Sequence, residues 1–149
     1  MSDTWWKDPT DLTGEQSNIL DLPLDQDLLI IGPPGSGKTN LILLRANYLF
    51  LGPCPNLQIV VYGSVLKKFI KVGGAQYKFP TDRIITHSSL FINLLREHGC
   101  APNTNGLKPK EVRLALSEAM MNLIESGKIG AVYEAIVLDE AQDYSPMKF

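Results

Sequence analysis

Long apolar runs are missing from this 149-residue chain. The densest, Leu28 to Ile31 and Leu41 to Leu44, fall far short of the roughly 20 residues that cross a bilayer. The first eight residues, Met1 to Asp8, show no basic start leading into an apolar stretch, so they do not read as a secretion signal. Cysteine is scarce as well. Cys54 and Cys100 are the only two, with neither metal-type nor redox-type spacing. No membrane contact and a reduced, cytoplasmic setting are the expectations. Excess charge is also lacking: a net charge of −2 gives no global attraction to nucleic acid.

What is present suits one globular domain, with 44% hydrophobic and 20% charged residues. The length allows a real core but not two ordinary domains. Charge is unevenly spread. The first 27 residues carry Asp3, Asp8, Asp11, Glu15, Asp21, Asp25 and Asp27 against Lys7 alone. From Lys67 to Arg83 the balance reverses, with Lys67, Lys68, Lys71, Lys78 and Arg83 against Asp82. That stretch is either a solvated lysine face or a local surface for a polyanion.

Strand and helix patterns alternate. Leu28 to Ile31 reads as a short buried strand running into a glycine-rich turn, and a helix follows from about Gly37 to Leu51. Leu57 to Tyr62 reads as a strand, Ser64 to Val72 as a helix, and Arg83 to Thr86 as a third strand. Ser88 or Ser89 is the expected cap of a helix reaching His98, with Leu90, Phe91, Leu94 and Leu95 inward. From Pro109 to Ser126 the apolar residues Val112, Ala115, Leu116, Ala119, Met120, Leu123 and Ile124 recur at helical spacing. Ala131 to Leu138 holds the last strand. The alternation predicts an α/β fold, a mostly parallel sheet flanked by helices, with ligands beyond the carboxyl ends of the strands.

Two motifs sit at those ends. Gly32-Pro33-Pro34-Gly35-Ser36-Gly37-Lys38-Thr39 fits G-x-x-x-x-G-K-[ST], the phosphate loop of nucleotide-binding proteins. Glycines let successive N–H groups turn inward on phosphate oxygens, and the helix that follows offers its positive end. Lys38 can reach the β- and γ-phosphates of ATP, and the Thr39 hydroxyl can ligate Mg2+. Ile136-Val137-Leu138-Asp139-Glu140 then places two carboxylates just past an apolar strand. Asp139 suits the metal, and Glu140 suits activation of the attacking water.

Asp139-Glu140-Ala141-Gln142-Asp143 closely resembles motif II, D-E-x-Q-D, of the UvrD/Rep-type superfamily 1 DNA helicases. Leu12-Thr13-Gly14-Glu15-Gln16 resembles the family's Q motif, which gives Gln16 the role of reading adenine. Val60-Val61-Tyr62-Gly63-Ser64 stands where motif Ia contacts single-stranded DNA, without the family's usual threonine, asparagine or lysine. Thr86-His87-Ser88-Ser89-Leu90 resembles a T-F-H-S-L segment without its phenylalanine. His87 is then a DNA-side, structural or plain surface residue. Trp5 and Trp6 are an anchor for the N-terminal arm, a disordered end or a base-stacking pair.

The resemblance implies the first RecA-like lobe of a helicase, truncated after motif II. Lys38, Glu140 and Gln142 would be catalytic, with Gln142 coupling the γ-phosphate to neighbouring motifs. Gln16 and Gly32 to Thr39 would hold ATP, and Thr39 with Asp139 would hold Mg2+. It further implies ATP hydrolysis coupled to movement on single-stranded DNA, once a second RecA-like lobe supplies the motifs from III onward. Residues 1–149 would form a single incomplete domain containing a small helical insertion at 88–126. A strand that the family places between the phosphate-loop strand and the motif II strand would be missing. The alternative is a non-enzymatic nucleotide-binding remnant that serves as a partner module.

Overall fold

The computed structural model describes residues 11–63, 68 and 77–143. Four α-helices and three strands are assigned among them. These are α1 (Gly14–Leu20), α2 (Lys38–Leu51), β1 (Leu57–Val61), β2 (Ile84–Thr86), α3 (His87–Glu97), α4 (Pro109–Glu125) and β3 (Ala135–Leu138), with single 3-10 turns at Thr81–Arg83 and Ala141–Asp143.

The strands form one parallel sheet in the order β2-β1-β3. Central β1 is buried along its whole length, as a parallel strand covered on both faces must be. Its alternation divides the core. Leu57, Ile59 and Val61 pack with Leu41, Leu43, Leu44, Ala46 and Leu49 of α2. Val60 packs on the other face with Leu90, Leu94 and Leu95 of α3 and Leu116, Met120 and Leu123 of α4. The fold is thus α/β, with a small parallel sheet between helices.

Local chemistry sets the helix ends. Thr13 and Gln16 close a capping box on α1: Thr13 Oγ1 accepts from Gln16 N at 3.3 Å, and Gln16 Oε1 accepts from Thr13 N at 3.1 Å. Pro109 opens α4, where its missing N–H costs nothing, and Glu111 Oε2 accepts from Lys108 N at 2.9 Å. The cap of α3 is not Ser88 or Ser89. Thr86 takes that place, its hydroxyl accepting from Ser89 N at 3.3 Å, so the helix starts directly from the end of β2.

Three further expectations differ from the structure. Leu28 to Ile31 joins no ladder, and Leu29 and Ile31 are 76% and 84% exposed. A parallel strand is buried only when paired and covered, and among the described residues no strand lies beside this one. Ile30 alone of the four packs on the α2 side of the core. Ile124 of α4 is exposed, because the helix buries only the narrower stripe through Leu116, Met120 and Leu123. The third is the surface reading of His87, one of those left open: the residue is buried, stacked on Tyr62 at 5.8 Å and edge-on to Phe91 at 6.2 Å, as its structural reading has it. The helix expected over Ser64–Val72 lies, apart from exposed Lys68, outside the described residues, as do Trp5 and Trp6.

Candidate functional site

The phosphate-loop motif folds as a turn feeding α2. Ser36 N–H donates to Pro33 O at 3.2 Å, and Gly37 N-caps the helix with φ 81°, in the left-handed region where a Cβ is strained. Gly32 is required for a different reason. A Cβ there would lie 2.8 Å from Ser36 Oγ, so a side chain would force the Ser36 hydroxyl to move.

Lys38 reaches back across the turn. Its ammonium donates to Gly32 O and Pro33 O, both at 2.8 Å. The charge therefore lies across the loop, at the start of a 14-residue helix whose positive end also favours an anion.

Residues 100 positions apart meet next to it. The Thr39 hydroxyl lies 3.2 Å from Asp139 Oδ1 and 3.3 Å from Oδ2, so it donates to this carboxylate. Two different elements impose the meeting. Thr39 is in the first turn of α2, and Asp139 follows β3, its own N–H donating to Val60 O at 3.1 Å to extend the β1–β3 ladder by one rung.

Asp139 is only 4% exposed. Burial and the neighbouring charge of Glu140 raise its pKa, while the Thr39 hydrogen bond, a backbone hydrogen bond and Lys38 act the other way. A buried carboxylate beside a hydroxyl, its charge only partly offset by Lys38, is an oxygen donor pair that suits a hard divalent cation. Among the described residues no group of three or more His, Cys, Asp or Glu that could hold a metal gathers here or elsewhere.

Glu140 follows with φ 54°, a left-handed conformation that a non-glycine residue adopts at a cost of about 1 to 2 kcal/mol. Gln142 Nε2 donates to Glu140 Oε2, which ties the two residues together on the 3-10 turn. Glu140 and Gln142 both line the cleft that also contains Gly32, Pro34, Lys38 and Asp139.

Gln16 is close, but its amide is already engaged. Beyond its part in the α1 cap, Nε2 donates to Ser36 O at 3.0 Å. Gln16 thus touches the phosphate loop itself.

Two residues were not singled out from sequence. Arg45 is buried, and its guanidinium donates to Leu22 O at 3.1 Å and Pro23 O at 2.6 Å, pinning the segment between α1 and the phosphate loop. A charged residue on the apolar stripe Leu41, Leu44, Arg45, Tyr48 was the available signal. Asn40, buried next to Thr39, accepts from the Tyr77 hydroxyl at 3.2 Å. Nothing in the local pattern foreshadows a partner 37 positions away.

On the segments expected to contact DNA the structure gives less. Tyr62 and His87 lie together at the carboxyl ends of β1 and β2. Lys67 and Lys71 fall outside the described residues, while Lys68 and Lys78 are exposed. No helix among the described residues is long and apolar enough to cross a membrane. Comparison with protein-family models, curated proteins and solved structures finds no match.

Proposed function

We propose that this chain binds ATP with Mg2+ through Gly32 to Thr39 and Asp139, as the first lobe of a P-loop motor of the superfamily 1 helicase type. The observation that carries the reading is the contact between Thr39 Oγ1 and the Asp139 carboxylate. A phosphate-loop hydroxyl and a strand-end carboxylate, far apart in sequence, converge, and together they are oxygen donors that would hold Mg2+.

Each residue then has a task. Backbone N–H groups of the loop and the Lys38 ammonium would hold phosphate oxygens, and Thr39 and Asp139 would hold Mg2+, which would neutralise charge on the transferred phosphoryl group. Glu140 orients and accepts a proton from the attacking water, and its pairing with Gln142 gives a route by which phosphate state is felt outside the site. Gln16, on Ser36 O, is placed to link adenine recognition to the loop.

Coupling to single-stranded DNA rests on the D-E-x-Q-D pattern, with a second lobe as the required partner. Turnover by this chain alone is expected to be very slow, since an arginine supplied from outside is worth about a thousandfold or more in phosphoryl transfer. ATPase assays with and without single-stranded DNA, with the second lobe supplied and Lys38→Ala as control, test this. DNA stimulation that disappears in the variant supports the motor reading. ATP binding without DNA stimulation favours the non-enzymatic partner module. Robust unwinding by this chain alone would sink the two-lobe account.

A further inference from the structure

Arg45 is a buried charge that the proposed chemistry does not use. It is 6% exposed, on the same stripe of α2 as Leu41, Leu44 and Tyr48. Stability alone is a poor reason for a charge there, because desolvation opposes it and an apolar side chain of similar volume often packs as well. What a guanidinium adds is a planar fork with fixed directions. Its two terminal nitrogens grip consecutive carbonyls, Leu22 O at 3.1 Å and Pro23 O at 2.6 Å.

Those carbonyls lie just past the end of α1, and Gln16 lies nearer its start. Gln16 Nε2 donates to Ser36 O, immediately ahead of α2, while Arg45 is about two turns into α2. The chain of α1 is therefore tied to α2 and its loop at two separated points, with Leu20 packed in the α2 core between them. Such ties matter because α1 has only seven residues, too few for a helix that holds by itself. One tie would leave it free to swing about that point; the second removes the swing.

We propose that Arg45 is a positioning residue for nucleobase selection: by fastening the end of α1 to α2 it keeps the Gln16 amide beside the phosphate loop, and so sets the preference for adenine over guanine. The inference rests on the reading of Gln16 as the residue that recognises adenine.

The fit at Gln16 is close enough for such control. Its Oε1 accepts from Thr13 N and its Nε2 donates to Ser36 O, so any movement of α1 carries the amide with it. A Cβ built on Gly37 would stand only 3.1 Å from Nε2, which places the amide directly against the loop. The phosphate-binding groups do not depend on this tie. Lys38 is held by Gly32 O and Pro33 O, and Thr39 by Asp139. Loss of the Arg45 fork should therefore alter the choice of base and leave the grip on phosphate.

The test is calorimetric titration of the full chain with ATP, GTP and inorganic tripolyphosphate, each with Mg2+. Arg45→Met keeps the length of the side chain and removes its donors. Its ATP-to-GTP affinity ratio should fall by about fivefold, the worth of one hydrogen bond, with tripolyphosphate affinity unchanged. Arg45→Lys keeps the charge without the fork and should show a smaller fall. The double variant Gln16→Ala/Arg45→Met should fall no further than Gln16→Ala, since the two act through one contact. A native ratio in Arg45→Met, an equal loss for all three ligands, or a further fall in the double variant would overturn the proposal. If circular dichroism shows Arg45→Met unfolded, Arg45→Lys decides: a native ratio overturns the proposal and a lower one supports it. A native chain that binds ATP and GTP alike, or Gln16→Ala with its preference intact, would remove the adenine reading and this proposal together. Loss of preference in Gln16→Ala but not in Arg45→Met would remove this proposal alone.

Discussion

Replacing Asp139 by asparagine should move two stabilities in opposite directions. The side chain is 4% exposed, beside Glu140, with the Thr39 hydroxyl as its side-chain donor. Burying a carboxylate costs several kcal/mol even after relaxation, and charge-assisted hydrogen bonds return about 1.5 to 3 kcal/mol of it. Asparagine keeps an acceptor for Thr39 and removes the charge. Without ligand, Asp139→Asn should therefore be more stable by on the order of 1 kcal/mol, or roughly 2 to 4 °C in Tm for a chain of this size. The sign depends on pH in a defined way. Because folding raises the Asp139 pKa, the native state is penalised above the ordinary carboxylate range, so the gain should be full at neutral pH. It should vanish once acid protonates the aspartate in both states. With Mg2+ and ATP at a hundred times Kd the native protein gains about 2.7 kcal/mol, and a tenfold weaker variant only about 1.4 kcal/mol. Thermal unfolding by circular dichroism, with and without Mg-ATP, reads both effects. A variant that is less stable without ligand would refute the buried-charge argument, and one that keeps the full ligand shift would remove Asp139 from the metal site.

Further substitutions probe the loop and the core. Gly37→Ala, at φ 81°, should cost about 1 to 2 kcal/mol of stability in urea unfolding and weaken ATP binding as well. Leu43→Ala, at a site 2% exposed between α2 and the sheet, should cost about 2 to 5 kcal/mol with little change in the m-value. Gln16→Ala removes half of the α1 capping box and the bond to Ser36 O. It should cost about 1 kcal/mol and narrow the preference for ATP over GTP in competition binding; an unchanged preference would leave Gln16 only a structural role.

Motif chemistry was the most legible part of this sequence. Lys38, Thr39 and Asp139 could be placed at one site because each is defined by short-range spacing, and parallel strands bring their carboxyl ends together. The inward faces of α3 and α4 were legible for a similar reason: helical period fixes which residues share a stripe. Leu28 to Ile31 was not. Four apolar residues in a row state that a segment can be buried, but burial depends on neighbouring strands that its own residues do not specify. His87 and Arg45 show the same limit in polar residues. Whether a histidine or arginine is at the surface depends on which ring or carbonyl the fold brings to it, here Tyr62 in one case and Leu22 and Pro23 in the other. Gln16 adds a refinement, since its spacing to the loop was readable but its bond to Ser36 O was not.

The most direct measurement is calorimetric titration of the chain with ATP, with and without Mg2+, alongside Lys38→Ala and Thr39→Val. The account predicts saturable binding to one site that tightens with Mg2+, at least tenfold loss in Lys38→Ala, and loss of the Mg2+ dependence in Thr39→Val. Equal binding by the native chain and Lys38→Ala, or no binding at all, would contradict it.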